Sequence, residues 1–164
     1  IGGVIVTAQV LPTLNMVIST GAIDLGILTA GVTSTGGLDI EVGTNAGNGV
    51  AITARSGSGG LTSTSDNSVQ INSLTDDGNA ESYTFSSTAL AIDSTVIGFN
   101  STGDLGTLEI NDNALEHVIY ATNAPELDDA TNFDVAFNVA ATSNAQTAAG
   151  DYQDIITFTV TGNF

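Results

Sequence analysis

Leu38-Asp39-Ile40-Glu41-Val42-Gly43-Thr44-Asn45-Ala46-Gly47-Asn48-Gly49-Val50-Ala51-Ile52-Thr53-Ala54 alternates apolar with polar or small residues on both sides of an Asn-Gly pair. Successive side chains of a strand point to opposite faces, so Leu38, Ile40 and Val42 share one face and Asp39 and Glu41 the other. Asn-Gly between two such runs supplies the positive φ angles of a tight hairpin turn. The stretch therefore reads as strand, turn, strand, with a period of two rather than 3.6. Phe133, Val135, Phe137 and Val139 repeat the pattern, interleaved with Asp134, Ala136 and Asn138.

Working outward, the same reading places strands near 13–19, 22–28, 68–74, 82–86, 89–92, 105–110, 116–121 and 154–161. Turn signals fall between them at Ser56-Gly57-Ser58-Gly59-Gly60, Asp77-Gly78, Thr102-Gly103 and Gly150-Asp151. Brief helical turns are expected over 112–117 and 124–129, where Asp112 and Pro125 suit helix starts. Many short strands separated by glycine-rich turns predict an all-β chain, an antiparallel β-sandwich of jelly-roll type. At 164 residues the chain fits one sandwich domain, residues 13–164, preceded by an N-terminal strand over 1–12.

That first segment, Ile1-Gly2-Gly3-Val4-Ile5-Val6-Thr7-Ala8-Gln9-Val10-Leu11-Pro12, is apolar on both faces of an extended strand. Such a strand needs a slot in a sheet, since a terminus frays unless something ties it down. The slot is in its own domain or in a neighbouring copy, and the neighbour is the expectation. Val4, Ile5, Val6, Ala8, Val10 and Leu11 would then form the polymerisation strand, with Gly2 and Gly3 as a flexible lead and Pro12 as its end. A head-to-tail joint does not close on itself and makes a filament.

Composition excludes several other functions. Eighteen acids face one base, Arg55, giving a formal charge of -17. Nucleic acid is not an expected partner, because phosphate binding needs clustered Lys and Arg. An anionic membrane surface is excluded on the same ground. Strong negative charge suits salty surroundings, where the Debye length falls to about 3–8 Å. There is no cysteine, so disulfides, thiolate metal sites and cysteine nucleophiles are absent. No run of 18 apolar residues occurs, so no membrane span is expected. The chain lacks an initiator Met, which leads to the expectation of a cleaved secretory signal and an extracellular location.

Two segments carry a family resemblance. Residues 38–54, with their Thr-Asn-Ala-Gly-Asn-Gly hairpin, resemble the strand, turn, strand unit of secreted bacterial surface β-sandwiches. The ending Ala149-Gly150-Asp151-Tyr152-Gln153-Asp154-Ile155-Ile156-Thr157-Phe158-Thr159-Val160-Thr161 is similar to their closing strand. Proteins with this look include the TasA/camelysin family and archaeal bundling pili, and the closing strand also occurs in cell-wall binding domains. The TasA resemblance implies polymerisation by donor-strand complementation, in which one subunit's N-terminal strand completes the sheet of the next.

Catalytic signals are sparse. His117 is the single histidine, and nothing near it resembles a nucleophile elbow. Paired carboxylates could serve a glycosidase, yet there is no Trp and only Tyr83, Tyr120 and Tyr152 to stack a sugar. Without lysine there is no Schiff base, Walker motif or Lys–Asn isopeptide staple. Asp76, Asp77 and Asn79, with Glu81 nearby, are the best calcium candidates because clustered oxygens on a turn suit a hard cation, though they miss the EF-hand spacing. Asp128-Asp129 is no better. Asn100-Ser101-Thr102 is the one glycosylation sequon, making Asn100 the modification candidate. The expected function is thus a non-enzymatic, cofactor-free subunit of an extracellular filament serving adhesion, biofilm or cell contact. The rivals are a monomeric adhesion or carbohydrate-binding module, and a hydrolase built around His117 or a carboxylate pair.

Overall fold

The alternation around Leu38, Ile40 and Val42 belongs to the longest strand of the protein, β2 (Thr33–Thr44), which follows β1 (Leu14–Ile18). A computed structural model describes residues 2–73, 81–87, 107–109, 116–127 and 133–164. The further strands are β3 (Val50–Ser56), β4 (Leu61–Ser63), β5 (Gln70–Ile71), β6 (Ser82–Ser87), β7 (Thr107–Glu109), β8 (His117–Ala121), β9 (Val135–Thr142), β10 (Tyr152–Gln153) and β11 (Ile156–Gly162). Among the described residues there is no helix. The chain is all-β and every strand pair is antiparallel.

Among the described residues three sheets result, with strand orders β1-β2-β9-β6-β7, β11-β3-β8 and β10-β4-β5. Register is set by the buried face, because a slip of one residue would turn every apolar side chain to solvent. Ile40 lies opposite Val135 and Leu38 opposite Phe137 across β2 and β9. Phe85 lies opposite Val139 across β6 and β9. Phe158 lies opposite Ala54, and Val160 opposite Ile52, across β11 and β3. These side chains form one core cluster that joins all three sheets. Rings carry it from the five-stranded sheet to β11: Tyr83 to Phe85, Phe85 to Phe137 and Phe137 to Phe158, at centroid distances of 5.4, 5.2 and 5.0 Å and steep interplanar angles. Edge-to-face contacts of this kind each contribute about 0.5–1.5 kcal/mol beyond area burial.

A turn does join β2 to β3, closed by the Gly49 amide on the Ala46 carbonyl at 3.0 Å. It is not the expected hairpin: only Gly49 of the pair has a positive φ, and β2 pairs with β1 and β9 while β3 pairs with β11 and β8, so the chain passes from one sheet to another there. Gly49 has φ +80°, and a Cβ there would stand 2.1 Å from the Thr122 carbonyl oxygen. Glycine is required twice over, by backbone conformation and by space.

Several expected elements differ. Residues 22–28 are not a strand, although Ile23 and Leu25 pack beside Gly36 of β2. Gly26, at φ +67°, turns the chain out of the extended conformation in the middle of that segment. The strand expected over 68–74 shortens to Gln70–Ile71 in the described residues, because Asp66 Oδ1 accepts the Ser68 amide at 2.9 Å and holds 66–68 in a turn. Residues 124–127 are not helical: Glu126 exchanges both backbone hydrogen bonds with Thr44. His117 opens β8 rather than closing a helical turn. The strand expected over 89–92 and residues 112–115 lie outside the described residues.

Candidate functional site: an exposed apolar segment and an open groove

Residues 2–12 form no strand in their own subunit and are exposed throughout. Val4, Ile5, Val6 and Val10 are 89%, 89%, 90% and 83% exposed, and Leu11 67%. Ala8 is exposed as well. Scattered apolar surface residues are ordinary, but a contiguous exposed row of this kind is uncommon on a folded domain. None of the eighteen acids lies before Asp24, so the row is also uncharged.

The segment is tied down at its far end. Asn45 Oδ1 accepts the Thr13 amide at 2.7 Å, while Asn45 Nδ2 donates to the Leu11 carbonyl at 2.7 Å. Thr44 Oγ1 donates to the Thr13 carbonyl at 2.9 Å. Pro12 has a fixed φ inside this clasp. Residues 2–10 thus project from a firm base at the Thr44 end of β2, and β1 begins directly beyond it with Leu14 opposite Thr44.

A groove of about 1090 Å³ opens at the other end of β1. Ile18, Leu25 and Leu28 line one wall, and Ile156 and Phe158 of β11 the other. Leu38, Leu61, Ile71, Tyr83 and Val139 form its floor. Wall residues Ile18, Ile23, Leu25, Leu28, Ile156 and Phe158 are packed against the core yet only partly buried. The core is therefore incompletely covered along this side.

One wall continues into an unpaired strand edge. β11 bonds to β3 on one side and has no strand on the other among the described residues. Its side chains alternate: Ile156, Phe158 and Val160 are half-buried toward the core, and Thr157, Thr159 and Thr161 are exposed. Unpaired N–H and C=O groups beside an apolar groove are a template for another strand.

Asp154, at the start of β11, holds this wall in place. Its Oδ2 accepts from Ser56 Oγ at 2.6 Å and from the Tyr83 hydroxyl at 3.0 Å. Its Oδ1 accepts the amides of Ser58 and Ile155 at 3.2 and 2.8 Å. Burial, then the Asp154 carboxylate, pushes the Tyr83 hydroxyl far above its usual range, so it serves as a permanent donor. Tyr152 donates to the Ala148 carbonyl at 2.7 Å and closes the turn before the strand.

A second acidic corner lies by the Thr44 end of β2. Tyr120 donates to Glu126, and burial with the Asp134 and Glu126 carboxylates pushes the phenol up. Burial also pushes Glu126 up, and Asp134 adds to this against the lowering effect of Tyr120. Asp134 Oδ2 accepts the Val42 amide at 2.8 Å, so the corner has a structural use.

Among the described residues no group of three or more His, Asp or Glu could hold a metal. Asp76, Asp77, Asn79, Asp128, Asp129 and Asn100 lie outside the described residues, while Glu81 accepts a hydrogen bond from Thr147 Oγ1. His117 stands in β8 opposite Ala54. No described helix is long and apolar enough to cross a membrane. The apolar row 4–11 is legible in the sequence, whereas the groove, the Asn45 clasp and the Asp154 hub are not. The run Tyr152-Gln153-Asp154-Ile155-Ile156, an acid set just before an alternating strand, is the signal that could have flagged the hub. No family model matches the chain, and no curated protein or solved structure matches it.

Proposed function

We propose that this protein is the structural subunit of an extracellular filament, a sandwich-type domain that polymerises head to tail by inserting its N-terminal segment into a neighbouring copy. One observation carries the reading: residues 4–11 are an apolar, uncharged, β-prone row that their own domain leaves in solvent. Burying Val4, Val6 and Val10 would contribute roughly 4–9 kcal/mol before ordering costs, with Ala8 adding to it. Each added ladder hydrogen bond contributes about 0.5–1.5 kcal/mol. A joint of that size outlasts thermal dissociation without covalent support, which suits a chain with neither cysteine nor lysine. The resemblance of residues 38–54 and 149–161 to secreted sandwich fibre subunits points the same way, and the role follows as adhesion or cell contact outside the cell.

The test is negative-stain microscopy of the full chain beside one lacking residues 2–11. Filaments from the full chain and dispersed subunits from the shortened one are expected. Dispersed subunits from both would sink the proposal and favour a monomeric adhesion module.

A further inference from the structure

The proposed donation leaves open where the segment goes, and the surface offers several strand edges. We infer that the acceptor is the free edge of β11, with residues 4–10 of a second copy lying in the groove between β11 and the β1 side, Val4, Val6, Ala8 and Val10 facing inward. This rests on the polymerisation reading and adds the site, the register and the polarity.

Length and pattern select β11. It offers seven residues, as many as the row 4–10, and both would span about 23 Å as strands. On β11 the apolar row Ile156, Phe158, Val160 alternates with three threonines. In the segment Val4, Val6, Ala8 and Val10 alternate with Ile5, Thr7 and Gln9. Placed side by side, the two rows put Val4, Val6, Ala8 and Val10 on the face of Ile156, Phe158 and Val160, the first two of which line the groove, and Ile5, Thr7 and Gln9 on the face of Thr157, Thr159 and Thr161. The other edges fit less well: β1 has five residues, β10 and β5 two and β7 three, while β8 has five and carries His117 and a register shift against β3.

Charge favours the same occupant. A subunit of charge -17 repels acidic partners, and the segment brings no acid to the groove. The chain's own residues 4–10 are exposed and form no strand on β11, which makes the occupant a second copy. Asn45 fixes residues 11–13 at the Thr44 end of β2, whereas the groove opens beyond Ile18, at the opposite end of β1. The donor leaves at the Thr44 pole and the groove opens at the other, with β11 running between them from Ile156 opposite Ser56 to Gly162 opposite Val50, so subunits joined through this edge stack with one polarity.

The absence of native cysteine permits a direct test in the full chain. Thr7→Cys is combined in turn with Thr159→Cys on β11, Val17→Cys on β1 or Val118→Cys on β8, all on outward-facing positions, and each double variant is oxidised after assembly. An intermolecular disulfide ladder from the Thr159 pair alone is expected. Filaments that ladder through Val17 or Val118 would overturn the β11 assignment and leave polymerisation standing. An intrachain disulfide in a monomer, or a parent chain that forms no filament, would overturn both. Amide hydrogen exchange of the unsubstituted filament gives an independent reading should the double variants fail to assemble. Amides of residues 156–162 that face away from β3 should exchange far more slowly in filament than in subunit, and unchanged exchange there would overturn the assignment.

Discussion

Val6→Ala separates the strength of the joint from the stability of the subunit. Val6 is 90% exposed in the free subunit, so truncation removes nothing that the fold uses. In the proposed joint Val6 faces inward, and losing two methyl groups from a buried position costs about 1.6 kcal/mol. Since 1.4 kcal/mol is a factor of ten, the critical concentration for assembly should rise about fifteen-fold. Replacing Val4, Val6 and Val10 together should raise it on the order of a thousand-fold. Thr7→Ala and Gln9→Ala, on the outward face, should shift it by less than about two-fold. Pelleting at a series of protein concentrations gives the critical concentration, and circular dichroism confirms that Tm is unchanged in every variant. Equal critical concentrations for Val6→Ala and Thr7→Ala would refute the inward and outward assignment. A fall in Tm with Val6→Ala would show that the segment belongs to its own domain.

Three further outcomes are expected. Asp154→Ala strands the Ser56 and Tyr83 hydroxyls and should destabilise the subunit by about 2–5 kcal/mol, lowering Tm by roughly 5–15 °C, with an unchanged melt disproving the hub. Assembly should be promoted on going from 10 mM to 150 mM salt, where the Debye length falls from about 30 to 8 Å and neighbouring bodies of charge -17 repel less, and equal filament yield would remove repulsion as a control. Glu126 is pushed up by burial and by Asp134, so the fold favours its protonated form and that stabilisation is lost as pH rises through the raised folded value. The stability advantage of Glu126→Gln over the parent should therefore grow from acid toward neutral pH in denaturant melts, and a pH-independent difference would contradict it.

How far the sequence reaches can be judged element by element. Alternation at Leu38, Ile40 and Val42 and at Val135, Phe137 and Val139 identifies β2 and β9, because a face buried at every second residue leaves a period of two in the sequence. The turn at Asn48-Gly49 is legible from its local residues, but the hairpin it suggests is not formed, because β2 and β3 take their partners from separate sheets that only the whole fold brings together. Residues 22–28 mislead because Ile23, Leu25 and Ile27 carry the strand pattern, while Gly26 breaks the backbone that would use it. The exposed row 4–11 can be read as a strand in need of a slot, since apolarity and β propensity are local properties. The groove proposed as that slot cannot be read, since it forms only where Ile18, residues 25–28 and the start of β11 meet in space. Asp154 is likewise one acid among eighteen until the fold brings Ser56 and Tyr83 to it.

The measurement that bears most directly on donation is photo-cross-linking from position 6 in a mixture of unlabelled and ¹⁵N-labelled chains. A photoreactive residue replaces Val6, the two populations are mixed and assembled, and cross-linked peptides are read by mass spectrometry. Peptide pairs of mixed isotope, joining the segment of one copy to residues 156–162 of another, are expected. Pairs of a single isotope throughout would place the segment in its own subunit and contradict the filament reading.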